Sequence, residues 1–211
     1  MKKYQLAVVI GRFQPLHIGH EELIKNALLH AEHVLLLLGS SNESRTVKNP
    51  FTFYERRDMI EKAFISSVYR LSIKPLPDTN NNTSWIKSVG KLIQSTSNEL
   101  KVTDVCFIVC DKDTSTTDSN DLLRQLPYSV IPIPSFYSIS ATSIRQSLFE
   151  GVRPNDMVSL PKPIQSYLSK HWLNIQLNTH EKVEKKLKWF DRSPYCYLIE
   201  PLSWIALFFS F

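Results

Sequence analysis

The chain has 211 residues, 43% of them hydrophobic and 21% charged, which suits one sizeable core with a small appendage and excludes a disordered chain. Only five residues are glycine, and neither a G-x-G-x-x-G dinucleotide fingerprint nor a G-x-x-x-x-G-K-[ST] P-loop can be written anywhere in the sequence. The net charge of +5 admits a phosphate-bearing small molecule, a nucleic acid or an anionic membrane surface as partner, or simply a solvated surface with a slight basic excess.

Residues Tyr4 to Ile10 are an apolar, β-branched run ending at Gly11, the pattern of a buried parallel strand. Leu23, Ile24, Ala27 and Leu28 then recur at helical spacing, and His33 to Leu38 predicts a second buried strand ending at Gly39. Thr52-Phe-Tyr-Glu55 is a capping-box pattern opening a helix with Met59, Ile60 and Ala63 on its apolar side. Further on, the pattern predicts a strand over Leu71 to Lys74, a helix over Ser84 to Gln94, a strand over Val102 to Cys110, a short helix over Ser119 to Gln125 and a strand over Tyr128 to Ile133. Ser140 caps a helix running to Glu150, with Gly151 in the left-handed capping position. Pro161 to Trp172 predicts one more helix. The alternation argues for an α/β fold, a doubly wound parallel sheet whose ligand lies beyond the carboxyl ends of the strands.

The character changes after residue 175, so we place the domain over 1–175 and a short helical C-terminal extension over 176–211. His180 to Lys188 is charge-rich and helical, with Val183, Leu187 and Phe190 on one side, and residues 198–211 are almost wholly apolar. That run interrupts itself with Glu200 and Pro201 and is shorter than the roughly 20 residues of a spanning helix. We read it as a packing or homo-oligomer contact, an aberrant terminus or a shortened linker to a lost domain, ahead of a membrane anchor. Cys106, Cys110 and Cys196 have neither disulfide-scaffold nor zinc spacing, and MKKYQLAVVIGRF runs straight into a strand with no cleavage pattern, so the expected setting is cytoplasmic.

The segment Gly11-Arg12-Phe13-Gln14-Pro15-Leu16-His17-Ile18-Gly19-His20 lies between the first strand and the first helix. There Gly11 lets the backbone come close to a ligand and the amides opening the helix form an anion site. Two imidazoles three residues apart can both face it and donate to charge developing on a phosphoryl group. Some 120 residues later, Ile139-Ser-Ala-Thr-Ser-Ile-Arg145 offers the Ser140 and Thr142 hydroxyls, first-turn amides and the Arg145 fork to phosphate oxygens.

These two segments resemble the H-x-G-H and I-S-S-T-x-x-R motifs of the nucleotidylyltransferase superfamily. Within it the chain is similar, over roughly residues 4 to 172, to the nicotinamide mononucleotide adenylyltransferases, of the archaeal type and especially the bacterial type that is often fused to a Nudix hydrolase. The likeness extends to Gly39-Ser40, to Ser44-Arg-Thr-Val-Lys-Asn-Pro-Phe-Thr52, to Glu55-Arg56, to Asp78 followed by Asn81, Asn82 and Trp85, and to Lys112-Asp113. It implies a Rossmann-like nucleotidylyltransferase fold, with His17, His20, Lys48 and Arg145 as the catalytic set. It further implies ATP at Gly11, Arg12, Phe13, Gly19, Lys112, Asp113, Ser140, Thr142 and Arg145, and the nicotinamide nucleotide at Gly39, Ser40, Arg45, Asn82 and Trp85. The pairing of Asn82 with Trp85 suits a pyridinium, which favours a tryptophan face, and a carboxamide, which needs both a donor and an acceptor.

The implied reaction makes NAD and pyrophosphate from ATP and nicotinamide mononucleotide by in-line attack of a phosphate that is already deprotonated, so no general base or covalent intermediate is needed. Mg2+ arrives with ATP, which needs no metal cage built by the protein; partners among nucleic acids or membranes are not expected. Around Asp111 to Asp121 the residues after Lys112, Asp113 and Ser115 depart from the aromatic pair usual in the fused proteins, and no Nudix pattern follows, so no pyrophosphatase activity is expected. Rival readings are a pantetheine-phosphate adenylyltransferase, a cytidylyltransferase and a nucleotide-sensing regulator without turnover. A class I aminoacyl-tRNA synthetase fragment, which the literal H-I-G-H of residues 17–20 suggests, lacks the K-M-S-K-S partner motif.

Overall fold

The computed structural model describes residues 3–111, 121–135 and 138–191, with side chains through residue 182. Five strands, β1 (Tyr4–Gly11), β2 (Ala31–Leu38), β3 (Leu71–Pro75), β4 (Val105–Asp111) and β5 (Ser129–Pro134), alternate with five helices. The helices are α1 (Ile18–His30), α2 (Phe53–Ala63), α3 (Asn82–Leu100), α4 (Ala141–Phe149) and α5 (Lys162–Asp191), with a further helical turn at residues 121–123. All strand pairings are parallel, in the order β3-β2-β1-β4-β5. Chain order therefore reverses at β1, and the crevice outside the carboxyl ends of β1 and β4 is the topological switch point, where open α/β sheets take their ligands.

The central strands are buried on both faces, which is why they read as unbroken apolar runs. One core cluster joins Ala7, Val9, Leu36 and Leu38 to α1, α2, α4 and α5. The other joins Leu6, Val8, Leu35 and Leu37 to Ile86, Val89 and Ile93 of α3. The Thr52–Glu55 capping box and the Ser140 N-cap form as expected, and Gly151 takes φ +93° after α4.

Several boundaries differ from expectation. Strand β2 starts at Ala31, directly after α1, because Arg70 donates to the carbonyls of Leu28, Ala31 and Glu32 and replaces a local cap. Helix α3 runs on to Leu100 through a polar stretch. Thr96 bonds back to the Leu92 carbonyl, and the Gln94–Asn98 and Ser95–Glu99 pairs lie along the same helix. Strand β4 begins only at Val105, because the amides of Thr103 and Asp104 are held by the Gln5 side chain. The two helical segments expected near the C-terminus are one helix, α5, which crosses residue 175 without a break and buries Thr179. Of the expected helix over Ser119 to Gln125, residues 119 and 120 lie outside the described residues, as does the apolar stretch 198–211. Among the described residues, no helix is long and apolar enough to cross a membrane.

Candidate active site

At the carboxyl ends of β1 and β4 lies a cavity of about 230 Å³ lined by Gly11, Phe13, His17, Gly19, His20 and Trp85 together with apolar side chains of β1, β4 and β5. It straddles the sheet. Phe13, Ile108 and Ile133 of its wall belong to the α1 side, and Val8, Phe107 and Leu123 to the α3 side, where Trp85 packs. Beside it a polar groove of about 410 Å³ is lined by Arg12, Ser40, Glu43, Thr46, Lys48, Asn49 and Asp78. The two meet across the strip Gly11–Phe13, where Arg12 faces the groove and its neighbours face the cavity.

His17 is the N-cap of α1: its Nδ1 accepts the His20 amide at 3.3 Å. An accepting Nδ1 carries no proton, so in the neutral ring the N–H is at Nε2. The His17 and His20 rings stack with centroids 3.7 Å apart, and the Phe13 ring lies tilted 4.8 Å from His20. Glycine at 19 follows from this packing, since a Cβ there would stand 3.2 Å from the His17 ring. A Cβ at Gly11 would likewise meet the Phe13 ring at 3.0 Å. Cys110 also lines the cavity, whereas burial, with Asp104 adding to it, pushes the Cys106 thiol up to about 12.

The loop carrying Arg45 and Lys48 is cross-braced. Gln14, buried, donates to the Phe51 carbonyl at 2.9 Å and accepts the Phe51 amide at 3.0 Å, so its amide group pairs with that residue as a neighbouring strand would. Arg45, at φ +57°, forks onto both carboxylate oxygens of Glu55 at 2.6 and 2.7 Å. Burial alone would raise the Glu55 pKa, but the bonds from Arg45 and Thr52 outweigh it and hold the carboxyl below its usual range.

The expected site residues thus fall into groups. Gly11, Phe13, Gly19, His17, His20 and Trp85 share the cavity; Arg12, Ser40 and Lys48 share the groove, with Gly39 beside Arg12. Ser140 and Thr142 are exposed at the start of α4, next to Ile139 of the cavity wall. Arg145 is buried and commits three N–H groups within the protein, to the carbonyls of Gln14 and Val47 and to the Thr142 hydroxyl. Two of the five guanidinium N–H groups are not committed to any described residue. Asn82 lines neither space; it is Asn81 that caps α3, accepting the Ser84 amide at 2.8 Å. Lys112 and Asp113 lie outside the described residues. Among the described residues no cluster of three or more His, Cys, Asp or Glu is placed to hold a metal ion.

Two residues without an expected role stand out. Arg56, fully buried, reaches the ends of β1 and β2, and Trp172 of α5 packs tilted against Phe51 at 5.9 Å and edge-on against Phe149 at 5.0 Å while donating to the Leu148 carbonyl. Arg56 stands in the segment that carries the family likeness; no local pattern marks Trp172.

The cytidylyltransferase-like family model matches residues 8–147. A nicotinamide-nucleotide adenylyltransferase of Pyrococcus furiosus is 32% identical over 165 residues, covering 75% of this chain and 80% of that protein. A nicotinamide/nicotinic acid mononucleotide adenylyltransferase of Acinetobacter baylyi is 32% identical over 154 residues, covering 72% and 79%. A solved bifunctional NMN adenylyltransferase/ADP ribose pyrophosphatase of Francisella tularensis superposes with TM-score 0.68 at 23% identity, over 91% of this chain and 57% of that one, and is similar in fold. The chain belongs to the cytidylyltransferase-like family, among the nicotinamide-nucleotide adenylyltransferases.

Proposed function

We propose that this protein joins ATP and nicotinamide mononucleotide to make NAD and pyrophosphate. The observation that carries the reading is the pair of stacked imidazoles at the switch point, where an apolar cavity spanning both faces of the sheet meets a polar groove that holds Arg12 and Lys48. The α3 side of the cavity, with Trp85, suits the pyridinium ring of the mononucleotide. The α1 side suits ATP, whose phosphates reach His17, His20 and the exposed hydroxyls of Ser140 and Thr142. Lys48 and Ser40 in the groove, with Gly39 beside them, take up mononucleotide phosphate, and Arg12, on the strip between groove and cavity, takes an ATP phosphate; Arg45, locked onto Glu55, shapes that loop.

An oxygen of the mononucleotide 5′-phosphate attacks the α-phosphorus of ATP, the bond from that phosphorus to the bridging oxygen breaks, and pyrophosphate leaves with the electron pair. The attacking oxygen is ionised at neutral pH, so the protein's part is alignment and charge stabilisation. Nε2–H of His17, the His20 ring, Lys48 and the two remaining N–H groups of Arg145 supply it. Magnesium enters as part of the ATP substrate. The same reading places the protein in the cytoplasm and keeps Lys112, Asp113 and Asn82 as substrate contacts on family likeness.

The test is pyrophosphate release by purified protein with ATP, magnesium and, in separate reactions, nicotinamide mononucleotide, nicotinate mononucleotide or phosphopantetheine. Release with a pyridine mononucleotide is expected. Release with phosphopantetheine alone, or none at all, overturns the proposal.

A further inference from the structure

Arg56 projects from α2 and is completely buried, yet all four of its hydrogen bonds end on backbone carbonyls. One Nη donates to both Arg12 and Gly39 at 2.7 Å, the other to Ser40 at 3.4 Å, and Nε to Thr52 at 3.3 Å. A guanidinium so enclosed costs several kcal/mol to desolvate, and an apolar side chain would fill the same space more cheaply. A rim held by this fork offsets that cost only if its shape matters.

The carbonyls it holds adjoin left-handed residues. Arg12 precedes Phe13, at φ +51°, and the third carbonyl belongs to Ser40, at φ +48°. Both are non-glycine residues in a sparsely populated region, which persists where neighbours over-determine it. Phe13 in that conformation lays its ring over Gly11 and beside His20, while Arg12 and Ser40 line the groove. The fork thus joins the backbone behind both halves of the site: one branch runs through Arg12 and Phe13 to His20, the other through Gly39 to Ser40. A further direct bond between these strand ends runs from the Gly39 amide to the Gly11 carbonyl at 2.9 Å, next to the Gly11–Leu38 pair that closes the β1–β2 ladder.

We infer that Arg56 is a positioning residue for adenylyl transfer, holding the Arg12–Phe13 and Gly39–Ser40 turns so that the His20 ring and the groove are aligned for one in-line step. The inference rests on the adenylyltransferase reading. Lysine keeps the charge but not the planar fork that spans three carbonyls, and a shift of about 1 Å in aligned groups can cost on the order of a hundredfold in rate.

The experiment compares Arg56→Lys and Arg56→Gln with the parent protein in steady-state pyrophosphate release, with the folded fraction of each measured by thermal denaturation. The parent decides the reaction itself; only the ratio of variant to parent bears on Arg56. The expected result is a folded Arg56→Lys whose kcat falls by about tenfold or more while KM for ATP stays within about threefold, and a larger fall in kcat for Arg56→Gln. A folded variant with kcat within about twofold of the parent overturns the inference. So does a rate loss that only tracks the loss of folded protein, or failure of both variants to fold, since either makes Arg56 a stability residue.

Discussion

At the scale of single residues, the site is built from side chains that hold backbone. Gln14, Arg56 and Arg145 all spend donors on carbonyls, and His17 uses one nitrogen to cap the helix that presents His20. Glu55 shows the energetic side of this economy. Its carboxylate receives Arg45 and closes the capping box, so its pKa lies below the ordinary 4.5 in the folded protein. The folded state then binds fewer protons than the unfolded one just below that value, and stability present above it is lost as pH falls through the folded pKa. Glu55→Gln is therefore expected to melt lower at neutral pH, by about 1 kcal/mol as for other lost caps. It should also show a shallower fall of Tm below pH 4.5, measured by calorimetry across acid pH; an acid limb as steep as the parent's would refute the assignment.

At the scale of elements, helix α3 carries a glycine with neither a site role nor a capping role. Gly90 lies inside α3, and a Cβ there would meet only Leu126 at 3.5 Å, an ordinary contact. Nothing in its backbone demands glycine, so Gly90→Ala is expected to stabilise the protein by about 0.5–1 kcal/mol through helix propensity. Urea denaturation reads this directly, and destabilisation would point to a constraint on α3 that the packing does not reveal. The contrast with Gly19 is instructive: that glycine answers to a ring packed on the helix start, whereas Gly90 answers to nothing comparable.

At the scale of the molecule, α5 ties the Ser44–Thr52 loop to the end of α4. Trp172 touches Phe51 on one side and Phe149 on the other, and Lys182 reaches across to donate to the Ser44 carbonyl at 2.6 Å, in the loop that carries Arg45 and Lys48. The region read as an extension therefore braces the groove. Lys182 is exposed, so its bond is worth about 1 kcal/mol or less. Lys182→Met is expected to raise KM for the mononucleotide by about threefold with kcat unchanged and Tm lowered by no more than about 4 °C; an unaltered KM would leave the contact without a role in binding.

Alternating apolar runs and capping signals were enough to read the order of strands and helices, because burial on both faces of a parallel sheet and orphan amides at helix starts leave local marks. The motif around His17 and His20 was legible for the same reason: its glycines and histidines interact within four residues of one another. What local pattern could not carry is every contact made between distant segments. The start of β2 depends on Arg70, some 40 residues on; the grip on Arg12 and Gly39 comes from Arg56; Arg145 turns inward to Gln14 and Val47; and α5, past residue 175, buries Thr179 and sends Lys182 to the Ser44 carbonyl. A buried guanidinium has the same letter in the sequence as a solvated one, and only the packing of distant carbonyls around it tells them apart.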